Sequence, residues 1–106
     1  MRDIQWSKTE REVARRAFDA AYRKECRDIA EKVGEMIAKV ATPSDLWQIH
    51  DFLTEQRRQT DEKYDYRYSV LLFVFARLLS EGRVTEADLT GLREDKTNEI
   101  RYLANR

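Results

Sequence analysis

The residues best equipped for chemistry lie in one short stretch, residues 42–58, TPSDLWQIHDFLTEQRR. It holds the only histidine, His50, the only proline, Pro43, and one of two tryptophans, Trp47. At 100° per residue a helix sets Trp47, His50, Asp51 and Thr54 on one stripe, and Arg58 extends it. Arg57 lies between that stripe and an apolar one formed by Leu46, Ile49 and Leu53. An indole, an imidazole, a carboxylate and a guanidinium can together donate, accept and stack. That mix suits recognition of another protein, where Trp and Arg are favoured anchors. It suits catalysis poorly. His50 and Asp51 are sequence neighbours about 100° apart on a helix and do not face each other as a base and its orienting carboxylate would. Asp51 and Glu55 read as two solvated surface carboxylates. The chain has no GxGxxG, Walker-type loop, HExxH or EF-hand pattern. One histidine and one cysteine supply no ligand set for a transition metal, so neither enzyme activity, a metal nor a cofactor is expected.

Composition narrows the class of partner. The chain has 106 residues, enough for one domain over residues 1–106, and 20 Lys and Arg balance 20 Asp and Glu. A neutral chain lacks the basic surplus that displaces counterions from nucleic acid. With 38% charged residues, three glycines and one proline it reads as helix-rich. Its 42% hydrophobic share supports a core. The lone Cys26 excludes an internal disulfide and reads as a small apolar seam residue, which fits a reducing compartment. The N-terminal stretch MRDIQWSKTERE lacks an apolar leader core. The longest apolar run, residues 70–76, is far below the roughly 18 residues a membrane span needs. A cytoplasmic protein without membrane insertion is expected.

The elements that must position the 42–58 stretch can be read from caps and periodicity. Ser7 and Glu10 have capping-box spacing, so a helix begins near Lys8. Nothing but Gly34 interrupts it before about Ala41. Phe18, Tyr22, Cys26, Ile29, Val33, Met36 and Val40 give it a heptad-like seam. Such a helix is roughly 50 Å long, longer than a compact chain of this size can cover, since its radius of gyration would be about 13 Å. A second copy is the simplest cover, so a homodimer is expected, with Val40 in its seam. Thr42, Pro43 and Asp45 start a second helix, which is expected to fade into a turn or kink over residues 57–63. A third helix is expected over about 61–81 with Leu71, Phe75, Leu78 and Leu79 on one face, Phe73 off it and Gly82 as its cap. Tyr64, Tyr66 and Tyr68 alternate as in a strand, but no second strand-like run exists to pair with them. Thr85 and Asp88 open a fourth helix over about 86–103. The expected fold is all-α: four helices, the first unusually long, in a dimeric bundle-like assembly.

The stretch DLWQIHDFLTEQRRQTDEKYDYRYSVLLFVFARLLSEG, and DLTGLREDKTNEIRYLA after it, resemble the cyanobacterial fluorescence recovery proteins. DLW, HDFL, KYD.R.SV and FVFA.LL.EG carry the resemblance, which spans roughly residues 5–104. It implies a small all-helical dimer without a chromophore. Such a dimer binds the photoactivated red form of the orange carotenoid protein, mainly through that protein's C-terminal domain. It speeds return to the orange form and release from the phycobilisome, ending photoprotective quenching. The resemblance implies that Trp47, His50, Asp51 and Arg57 form the partner surface, that Phe73 touches the carotenoid protein, and that Leu46 belongs to the dimer contact. Ile49, on the same apolar stripe as Leu46, is expected in that contact too. It places the protein near the thylakoid-attached phycobilisome. The alternative is a helical dimer of the same fold, structural or stress-related, acting on a different partner.

Overall fold

The computed structural model describes residues 4–106. Residues 1–3 of the stretch read for a leader lie outside the described residues. Four α-helices and one 3₁₀ turn follow in order: α1 (Lys8–Ala38), α2 (Pro43–Lys63), α3 (Leu71–Ser80), the 3₁₀ turn (Ala87–Leu89) and α4 (Glu94–Ala104). No strand occurs among the described residues.

α1 starts where its cap predicts. The Ser7 hydroxyl accepts from the Glu10 N–H at 3.1 Å, and the Glu10 carboxylate accepts from the Ser7 N–H at 3.1 Å. It stops at Ala38 rather than Ala41 because the Asp45 carboxylate takes the amides of Ala41 and Thr42, at 3.0 and 3.1 Å, out of the helical ladder. The same carboxylate caps α2, with the Thr42 hydroxyl accepting from the Asp45 N–H.

α2 does not fade at residue 57. It runs unbroken to Lys63. Arg58 clamps its last turns by bridging Glu55 at 2.7 Å and Glu62 at 3.0 Å. The third helix, conversely, is shorter than expected: residues 64–70 are not helical, and α3 begins at Leu71. The tyrosine alternation there is genuine. It serves packing rather than a ladder: Phe18 meets Tyr64 and Tyr66 edge-on, with centroids 5.4 and 4.8 Å apart, and Trp6 lies 5.6 Å from Tyr68. Gly82 follows α3 at φ +74°, the left-handed geometry of a helix stop.

The expected 86–103 helix is two pieces. The Thr85–Asp88 box forms, but it caps only the short 3₁₀ turn. Gly91 then takes φ +112°, and a Cβ there would lie 2.7 Å from Val13 Cγ2. The backbone must approach α1 more closely than any side chain permits, so the helix breaks and restarts at Glu94.

These elements make a head and an arm. The core joins Val13, Ala14, Ala17, Phe18 and Ala21 of α1 to α3, α4 and the segment between them. The alanines on α1 let the head close onto it, and Phe75, Leu71, Leu78, Leu89 and Ile100 are fully buried inside. No α2 residue joins that core among those described. α2 instead doubles back along the rest of α1. The molecule measures 53 × 27 × 26 Å with a radius of gyration of 16.9 Å, against about 13 Å for a compact chain of this length.

Candidate functional site

Trp47, His50, Asp51 and Arg57 all sit on α2, in the arm, and all are exposed. Thr42, Pro43 and Asp45 fix where α2 begins and hence which way each of these side chains faces. Trp47 is 63% exposed, unusual for so large an apolar group in a folded chain. His50 Nδ1 lies 3.5 Å from Asp51 Oδ1, closer than their separation around the helix suggests. Asp51 has no tighter partner among the described residues.

The two adjacent arginines are not equivalent. Arg58 is committed to Glu55 and Glu62, and its bonds hold the exposed Glu55 carboxyl at about 2 against an ordinary 4.5. Among the described residues, Arg57 is engaged only by Asp61, at 3.6 Å. Arg57 is therefore the guanidinium free to turn to another molecule. It borders a shallow cleft of about 260 Å³ between α1 and α2, lined also by Tyr22, Cys26, Ile29 and Leu53. Cys26 is half-buried there, and its thiol beside Tyr22 raises the phenol's pKa.

The residues expected to face a second copy divide. Leu46 is 50% exposed and Val40 is exposed, as are Ile37 and Leu53 along the same arm. Ile49, expected beside them, is only 7% exposed. It is the apolar position that the folded-back hairpin covers, and it leaves little surface for another chain. Phe73 is on a different element, α3, and is 60% exposed on the head. The fold thus gathers the indole, imidazole, carboxylate and guanidinium on the arm and sets the phenylalanine apart from them.

Two buried charge clusters have no signature in the sequence. Lys96 donates to both oxygens of Glu10 at 3.0 Å and to the Gln5 carbonyl, beneath the Trp6 ring at 5.0 Å. Burial would raise the Glu10 pKa, but the N–H groups of Arg93 and Ser7 and the Lys96 ammonium outweigh it and hold it at about 2. In the second cluster Lys63 meets Glu25 and Glu81 where arm joins head. The partners are 86 residues apart in the first and 38 and 18 apart in the second, so no local spacing announces them.

No group of three or more His, Cys, Asp or Glu among the described residues is placed to hold a metal ion. Among the described residues, no helix is long and apolar enough to cross a membrane.

The chain is similar to known proteins over nearly its whole length. It is 41% identical over 99 residues to a fluorescence recovery protein of Synechocystis sp. (strain PCC 6803), covering 93% of this chain and 91% of the relative. Its fold matches the solved structure of the Fremyella diplosiphon fluorescence recovery protein with a TM-score of 0.90 at 39% identity, covering 96% of this chain and all of the other. The structure of the Synechocystis protein matches with a TM-score of 0.90 at 40% identity over the same shares. The family model described as photoprotection regulator fluorescence recovery protein matches residues 6–104. With this helical head and arm, that likeness places the chain in the fluorescence recovery protein family of photoprotection regulators.

Proposed function

We propose that this chain binds the photoactivated red form of an orange carotenoid protein, through that protein's C-terminal domain, and accelerates its return to the orange form. Release from the phycobilisome follows and photoprotective quenching ends. The protein acts in the cytoplasm, beside the thylakoid-attached phycobilisome, as a homodimer. The observation that carries this reading is the solvent-facing Trp47 with Asp51 and Arg57 displayed on the same helix. A monomer needing only stability would not keep an indole and two weakly engaged charges together on its outer face.

The action is conformational, and no covalent bond changes. A partner speeds the closure of two separated domains only if it binds the closing state more tightly than the open one. It must then hold the closed form weakly enough to leave. Asp51 and Arg57 supply charge-assisted contacts that strengthen as water is excluded. Trp47 supplies apolar area, with His50 beside it, and Phe73 makes a separate contact from the head. The exposed Ile37, Val40, Leu46 and Leu53 form the face on which a second copy lies.

The test mixes the purified protein with red carotenoid protein in darkness and follows the colour change. Recovery should accelerate in proportion to added protein. An unchanged rate at every ratio would show that the fold serves another partner.

A further inference from the structure

α2 carries the proposed partner surface, yet it contributes nothing to the hydrophobic core that holds the head together. Its buried residues are Ile49, Thr60 and Lys63. Ile49 lies in the arm, and the Thr60 hydroxyl is returned to its own helix, donating to the Gln56 carbonyl. Lys63 is different. Its Nζ donates to Glu25 Oε2 of α1 and to Glu81 Oε1, just past α3, both at 2.6 Å. Its side chain is 7% exposed.

The rest of the cluster fixes those two carboxylates in turn. Tyr64 donates its hydroxyl to the other oxygen of Glu25 at 2.8 Å, and Arg77 donates to the other oxygen of Glu81 at 3.0 Å. Arg83 reaches Glu25 at 3.6 Å and also pairs with Asp28. Burial pushes the Tyr64 phenol well above its ordinary pKa, and Glu25 adds to this, so the hydroxyl stays a donor. One ammonium is thus held by groups from α1 and the end of α3 at the point where the arm meets the head. A buried ion pair is weak evidence for stability, because desolvation offsets most of its attraction. Its directionality is another matter: a hydrogen-bonded ammonium between two pinned carboxylates has one geometry, where an apolar contact would slide.

We infer that Lys63 is a positioning residue, which through Glu25 and Glu81 sets the direction of α2, and so of Trp47, Asp51 and Arg57, relative to the head and Phe73. The inference rests on the reading above that both surfaces meet one partner. A partner gripped at two places while its domains close needs both grips at a set separation, and small displacements there reduce a rate far more than they reduce folding.

The experiment neutralises the buried ammonium and its two carboxylates together with the triple variant Lys63→Met, Glu25→Gln, Glu81→Gln; Arg77 stays half-exposed and Arg83 keeps its pairing with Asp28. Spin labels on Gln48→Cys in α2 and Asn98→Cys in α4, in a Cys26→Ser background and diluted into excess unlabelled chain, report the arm-to-head distance. Dark recovery of red carotenoid protein is measured on unlabelled chains. The expected result is wild-type helix content and a two-state melt, a broadened distance distribution, and acceleration reduced about tenfold or more. A distribution as narrow as the wild type's overturns the inference whatever the rate does. So does a broadened distribution with full acceleration. If wild type itself fails to accelerate recovery, the proposed function falls while the distance measurement still decides whether Lys63 sets the arm. Should the triple variant not fold, Glu81→Ala alone removes the head-side acceptor of Lys63 while Glu25 still pairs its ammonium, and the same two readouts apply.

Discussion

Among single residues, the contrast between Arg57 and Arg58 is the most informative. They are adjacent and chemically identical, yet Arg58 spends its guanidinium on Glu55 and Glu62 while Arg57 is held only loosely. Recovery assays should separate them. Arg57→Leu or Asp51→Leu should weaken productive binding by about 2 kcal/mol or more if their contacts are desolvated in the complex, with the melting curve unchanged. Arg58→Leu should alter recovery little. Equal losses from all three variants would point to nonspecific attraction. Glu10 makes a second prediction, for stability. Its pKa is depressed from 4.5 to about 2, so its contribution is full above pH 4.5 and disappears as pH falls toward 2, amounting to about 3 kcal/mol. Denaturant titrations at stepped pH should show that loss. Lys96→Met, which strands Glu10 as a buried charge, should destabilise the fold by about 3–5 kcal/mol at neutral pH.

At the scale of elements, helix ends explain where each piece of chain turns. Asp45 illustrates how one carboxylate can end α1 and begin α2, binding the Ala41 and Thr42 amides; those amide bonds lower its pKa. The last helix shows a tertiary contact overriding a local signal. The Thr85–Asp88 box starts a helical turn, but Gly91 must pass against Val13, and the chain restarts only once the Glu10 carboxylate accepts from the Arg93 N–H at 2.9 Å. Gly91→Ala combines a positive φ with a 2.7 Å clash and should cost about 1–3 kcal/mol in chemical denaturation. A neutral substitution there would mean that α1 and the 89–93 segment can move apart freely.

The whole molecule is elongated because its long helix outruns its core. The head closes over the first half of α1, and the arm beyond it is only two helices thick. Two helices cannot bury both flanks of an amphipathic seam, so Ile37, Val40, Leu46 and Leu53 remain open. A second copy covers them in the assembly proposed above. Leu46→Lys should then shift the protein from dimer to monomer in sedimentation velocity without unfolding the head. A monomeric wild type at micromolar concentration would remove the dimer from the proposal.

Much of this was legible before any coordinates. Capping boxes at Ser7 and Thr42, Pro43 at the head of α2 and Gly82 after α3 are local signals, carried by side chains within four residues of the backbone they satisfy. They determined the helical class, the starts of the first two helices and the stripe that carries Trp47, His50 and Asp51. Signals of that range could not reveal that residues 64–70 would leave the helix. Their alternating tyrosines are satisfied by Phe18 and Trp6, from near the start of the chain. Nor could they reveal the split of the last helix, the burial of Ile49 or the clusters around Lys63 and Lys96. Each of those depends on which distant group fills the other half of a contact. Period and capping are properties of one segment, whereas burial and charge pairing are properties of two, and only the folded chain brings the second one near.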